Sequence, residues 1–138
     1  MFSPRSVFRC SIVLFAAVLF LGCASMPKET DRIELLKVKA NEYWKLRFED
    51  KYEDTYKMED QKGLPAFEAY RTQASLIKKF KLESYSIDKV DVEGDKGHVS
   101  VGINFYMKFP EGIKAFRQAL YEEWIFRDGQ WLHRFPTE

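Results

Sequence analysis

The chain has 138 residues, with 22 Lys and Arg against 21 Asp and Glu and a formal net charge of +1. That balance excludes a nucleic-acid partner, because such binding is driven by neutralising phosphates with a basic face. Both cysteines, Cys10 and Cys23, lie in or at the end of the apolar N-terminal segment, and His98 and His133 alone fall short of the three or four N and S ligands a structural zinc site needs, so no cofactor is expected.

The first element is a targeting signal. Arg5 and Arg9 form a basic start, Ile12 to Leu21 is apolar, and Gly22 is a small residue ahead of Cys23, the three parts of a secretory signal peptide. The apolar run is short of the ~20 residues a spanning helix requires, so cleavage is expected rather than a permanent helical anchor. The segment Phe20-Leu21-Gly22-Cys23 resembles the lipobox of bacterial lipoproteins, in which the cysteine thiol receives a diacylglycerol and the chain is cut just before it. The resemblance implies a signal peptide over residues 1–22 and lipid attachment at Cys23, with palmitate-type acyl chains. It also implies a lipidated tether over 23–30 and a membrane-anchored domain over 31–138 facing the periplasm. Ala24, where inner-membrane lipoproteins commonly carry Asp, implies the outer membrane. Removing residues 1–22 from 138 leaves 116, the length of one domain. Cys10 leaves with the signal and Cys23 is consumed by lipid, so an ordinary core must supply stability without a disulfide.

Within the domain, Thr30 or Asp31 offers an N-cap, with Glu34 as capping-box partner of Asp31. Leu36, Ala40, Tyr43, Trp44 and Arg47 recur at three- and four-residue steps, which predicts a long amphipathic helix ending near Phe48. Tyr52, Tyr56 and Met58 continue an apolar stripe through Lys51 to Glu59, a second short helix. Pro65 is suited to a helix start, and Phe67, Tyr70, Ala74 and Ile77 predict a third. Lys78, Lys79 and Lys81 close it as a solvated end that favours the negative pole of the helix dipole.

After Lys81 the period changes from helical to alternating. Leu82 to Val92 reads as a strand whose apolar parity shifts between Ile87 and Val90, as a bulge requires. Val99, Val101, Ile103, Phe105 and Met107 alternate with His98, Ser100, Gly102, Asn104 and Tyr106, the clearest strand in the chain. Phe109 to Phe116, with Pro110 and Gly112, reads as a connection to a strand over Gln118 to Arg127. Asp128-Gly129 then predicts a two-residue hairpin into Gln130 to Phe135. That turn sets Phe126 opposite Trp131, Trp124 opposite His133 and Glu123 opposite Arg134, with Glu122, Trp124 and His133 on one face.

Three helices followed by a curled antiparallel sheet, with Tyr43-Trp44 on the first helix and Glu122-Glu123-Trp124 leading into Asp128-Gly129-Gln130-Trp131, resemble the nuclear transport factor 2-like superfamily. The resemblance implies an α+β cone, its N-terminal helices packed in the concave face of the sheet and a pocket at its open end. The fold selects no activity. The pocket candidates are Tyr43, Trp44, Arg47, Tyr56, Glu122, Trp124 and His133. Enzymes of such families need a base in an apolar pocket with a Tyr or protonated acid opposite. Glu122 and His133, with Tyr43, Tyr56 or Tyr106 approaching, are the nearest match. The competing reading makes Glu122 a rim charge, His133 a satisfied sheet residue, and Trp44, Trp124 and Trp131 core packing. No catalytic residue is assigned. The expected function is binding of a small apolar ligand or an envelope protein without catalysis. The alternatives are an isomerase- or cyclase-type enzyme, and a scaffold subunit or homodimer assembling through its sheet face.

Overall fold

The computed structural model describes residues 28–136; the signal segment, Cys23 and most of the tether lie outside them. Helix α1 spans Glu29–Phe48, α2 Tyr52–Lys57 and α3 Phe67–Ala74, and α3 runs on into a 3₁₀ turn over Ser75–Lys79. Four strands follow, β1 Lys81–Glu93, β2 Lys96–Phe109, β3 Gly112–Arg127 and β4 Gln130–Arg134, in one antiparallel sheet of order β1-β2-β3-β4. The sheet curls, and the helices pack against it.

Helix α1 begins before Asp31, and the expected capping box does not form: Lys28 is the N-cap and makes no side-chain cap bond. Glu29 and Asp31 instead lie in the first turn, where carboxylates favour the positive pole of the helix. Pro65 precedes the cap residue Ala66 rather than opening α3, and its carbonyl accepts the Tyr56 hydroxyl at 3.0 Å. Lys81 belongs to β1, not to the end of the third helix. The segment Phe109 to Phe116 is not a loop. Only Pro110 and Glu111 turn between β2 and β3, and Phe109 already pairs with Gly112. Proline's fixed φ suits a tight turn, and Gly112 takes φ 132°, so residues suggestive of a long connection build a short one.

The parity shift in β1 is a bulge, with Ile87 paired to Val101 and Lys89 to Ser100 across one skipped residue. The Asp128-Gly129 turn sets the foreseen register, Arg127 opposite Gln130 through Glu123 opposite Arg134. Both turn residues have positive φ, 52° and 79°, as a type I′ hairpin requires.

The core lies between α1 and the concave sheet face. Leu36, Ala40, Tyr43 and Trp44 meet Val99, Val101, Ile103, Trp124 and Trp131. Gly97 permits this closeness, since a Cβ there would run into Leu36 and Trp131. A second cluster of Tyr70, Ala74 and Phe135, with Tyr52, Tyr56, Leu64 and Phe67 against it, sits under α2 and α3. A backbone bridge helps to join them. Met58 to Asp60 leave the helix and run beside β4, where His133 N–H donates to Met58 O at 2.9 Å and Asp60 N–H to His133 O at 2.7 Å. This one parallel bridge carries Glu59 into the interior.

Candidate functional site

His133 is the centre of the site. Strand β4 turns it inward beside Trp124, and its ring stacks on Tyr43 with centroids 4.4 Å apart. Its Nδ1 lies 2.7 Å from Glu59 Oε2 and its Nε2 3.6 Å from Glu122 Oε1. Burial of the ring pushes its pKa down, but the Glu122 charge and hydrogen bonding to Glu122 and Glu59 outweigh it and lift the value to about 9. At neutral pH the ring is therefore an imidazolium held between two carboxylates.

Glu59 is saturated. Besides His133 it accepts the Tyr43 hydroxyl at 2.7 Å, and the Tyr70 hydroxyl sits 3.1 Å from the same oxygen and 2.8 Å from Thr55 Oγ1. Burial raises the Tyr43 phenol well above its usual value, against the pull of Arg47, and burial with the Glu59 charge carries Tyr70 to about 12. Both stay neutral donors. Arg47 donates to Tyr43 Oη at 3.0 Å and to Ala74 O at 2.7 Å, tying α1 to α3.

Glu122 faces the other way. It accepts the indole N–H of Trp44 at 2.9 Å and lies 3.4 Å from that of Trp124. Its side chain is 9% exposed and forms the floor of a cavity of about 670 Å³ opening between α1, α3, β3 and β4. Trp44, Ile77, Leu120 and Phe135 give this cavity apolar walls, while Arg47, Glu122 and His133 put polar groups at its base. Gln73, Glu123 and Arg134 add further polar groups to the lining, so the cavity suits a molecule with both apolar and polar parts.

Six of the seven residues expected in the pocket come together. Trp44, Arg47, Glu122 and His133 line it, while Tyr43 and Trp124, fully buried, stand behind as support. Tyr56 does not join them. It packs on Tyr70 and Phe67 in the second cluster, because the chain leaves α2 after Lys57. Glu122 is not a rim charge, since Trp44 closes over it. Tyr106 lies near the far end of β2, its hydroxyl on Glu83. Glu59, Thr55 and the polar role of Tyr70 leave no signal in the sequence pattern. Glu59 stands among charged neighbours with no periodic signal, and only the bridge to β4 buries it. Among the described residues, no cluster of three or more His, Cys, Asp or Glu is placed to hold a metal ion.

No protein-family model and no curated protein sequence matches the chain. Its shape does match solved structures. It is similar to a candidate NTF2-like transpeptidase from Campylobacter jejuni, with a TM-score of 0.52 at 11% identity over 73% of this chain and 98% of that one. It is also similar to a protein of unknown function from Mycobacterium tuberculosis, with a TM-score of 0.50 at 16% identity over 83% of this chain and 78% of that one. At such identities the likeness speaks for architecture alone, and the architecture of this chain is the NTF2-like fold.

Proposed function

We propose that this protein is a lipid-anchored envelope protein whose cone pocket holds a small amphipathic ligand, or the side chain of an envelope partner, without transforming it. The observation that carries the binding part is the polar base of the cavity: Glu122, Arg47 and His133 are fixed by neighbouring donors and acceptors beneath apolar walls. A preformed set of this kind costs a ligand little reorganisation. The non-catalytic part rests on the same residues. An imidazolium with a pKa near 9 between two carboxylates is poorly matched to proton transfer near neutral pH, and both of its nitrogens face protein groups.

The anchoring part rests on the signal architecture around Gly22-Cys23, and its direct test is Cys23→Ser. That variant should lose the acyl mass and leave the membrane fraction, or accumulate unprocessed. Unchanged mass and fractionation would end the lipoprotein reading.

The test of binding is native purification of the full chain, followed by mass spectrometry of whatever small molecule it releases. Wild type should release a compound that Ile77→Asp, placed in the cavity wall, no longer retains. If the two retain the same compounds, the cavity is not the site. The 3.6 Å approach of His133 to Glu122 at the cavity base favours one second reading, an isomerase- or cyclase-type enzyme with Glu122 as base. Recovery of two interconvertible compounds, with conversion abolished by Glu122→Gln, would establish it.

A further inference from the structure

The far end of the sheet exposes large apolar side chains, among them Phe80, Ile113 and Phe116. Beyond the pairing of Lys81 with Tyr106, β2 and β3 continue as a two-stranded arm to the Pro110-Glu111 turn, and every residue of β3 from Gly112 to Ala119 is exposed. Yet the arm is not polar. On its concave side Phe80, Phe105, Phe116 and Phe109 form a chain of ring contacts with centroids 5.0 to 5.9 Å apart. Ile113, on the opposite face, is 68% exposed.

Basic residues stand on both faces of the arm, Lys81 and Lys108 by register on the Ile113 face and Lys114 beside Phe109. Residues 76–83 and 105–117 hold six basic residues and two acidic ones, although the whole chain has a net charge of only +1. Lys79, Lys81 and Lys108 are exposed, and none has an ion-pair partner among the described residues. Lys114 lies 5.1 Å from the Phe109 ring centroid. The lysines that looked like a solvated helix end thus have an apolar companion surface, supplied by a hairpin some thirty residues further along the chain.

We propose that this arm is a membrane-contacting tip that seats its aromatic and aliphatic side chains in the interface of an anionic lipid bilayer, with the lysines on the headgroups. Exposed apolar side chains flanked by three unpaired lysines, Lys79, Lys81 and Lys108, complement such an interface, combining buried apolar area with attraction to anionic headgroups. The contact is independent of acylation at Cys23. The start of α1 lies at the opposite end of the domain, where Arg32 donates to Gly94 O, whereas Lys78 meets Phe48 O at the end of α1 beside the tip. With 20 residues, α1 spans roughly 30 Å, so a domain held at both ends lies with this helix along the bilayer.

The experiment is hydrogen exchange, read by mass spectrometry, on the full chain bound to vesicles containing phosphatidylglycerol, to vesicles of phosphatidylcholine alone, and in detergent-free solution. Amides of residues 105–117 should slow in the anionic vesicles only. The effect should vanish in high salt and in the Lys79→Glu, Lys81→Glu, Lys108→Glu variant, each lysine being worth on the order of fivefold in partitioning. Ile113→Asp should reduce it with native melting, since that side chain packs on little. Equal exchange with and without vesicles would overturn the proposal, as would equal slowing on phosphatidylcholine. So would slowing that appears without lipid as protein concentration rises, which would assign the arm to a second copy.

Discussion

The charge on His133 should be readable as a pH dependence of stability. In the unfolded chain the ring has its ordinary pKa of 6.5; in the folded protein it is raised to about 9. A raised pKa contributes stability that is fully present below the unfolded value and is lost as pH rises through the folded one. Between these limits the native state holds a proton the unfolded state has released, so the free energy of unfolding must fall as pH rises. At 1.36 kcal/mol per pKa unit the total is roughly 3 kcal/mol between pH 6.5 and 9. That is a large share of the 5 to 15 kcal/mol typical of a domain. The assay is urea unfolding at fixed ionic strength across that range, with NMR of the His133 ring to follow its proton directly. Glu122→Gln supplies the control: without the neighbouring charge the ring should titrate lower and the slope should flatten. A stability flat from pH 6.5 to 9 would refute this electrostatic account of the site, as would a ring titrating near 6.5.

Other outcomes follow from the same contacts. Glu59→Gln should cost about 3 to 5 kcal/mol in urea unfolding, because it leaves a buried imidazolium without its closest counter-charge. Trp124→Ala should cost roughly 3 to 5 kcal/mol by opening a cavity between Tyr43 and the sheet, and native melting of that variant would mean the core is misassigned. Gly129→Val should destabilise by about 1 to 3 kcal/mol, since valine must take φ 79°, whereas Gly129→Asn should be much milder.

The parts of the fold legible in the sequence are those decided by neighbours along the chain. The alternation from Val99 to Met107, the Asp128-Gly129 turn and the parity shift at Asp88 each carry their geometry in adjacent residues, and with the turn fixed, Trp124 had to face His133. The helical stripe of α1 likewise placed Tyr43, Trp44 and Arg47 inward. What escaped was set by distant backbone. Glu59 sits in the run Lys57-Met58-Glu59-Asp60-Gln61-Lys62, as polar as any surface loop, and is buried because β4 hydrogen-bonds to the residues on either side of it. Tyr56 was misplaced by the same event, since the bridge ends α2 and leaves that ring among the residues of α3. The β2–β3 arm is hidden in the sequence because Pro110 and Gly112 signal a turn without stating its length.

The bridge between Met58–Asp60 and His133 also bears on the order in which the molecule is made. Helix α1 emerges early in synthesis with an apolar face that nothing can yet cover, and the residues that close over it include Trp131, synthesised about 95 residues after Leu36. At 5 to 20 residues per second that interval is roughly 5 to 20 s. Throughout it Leu36 has no Trp131, and once made Glu59 has no His133. Sealing of the core therefore waits on β4, the shortest strand of the sheet.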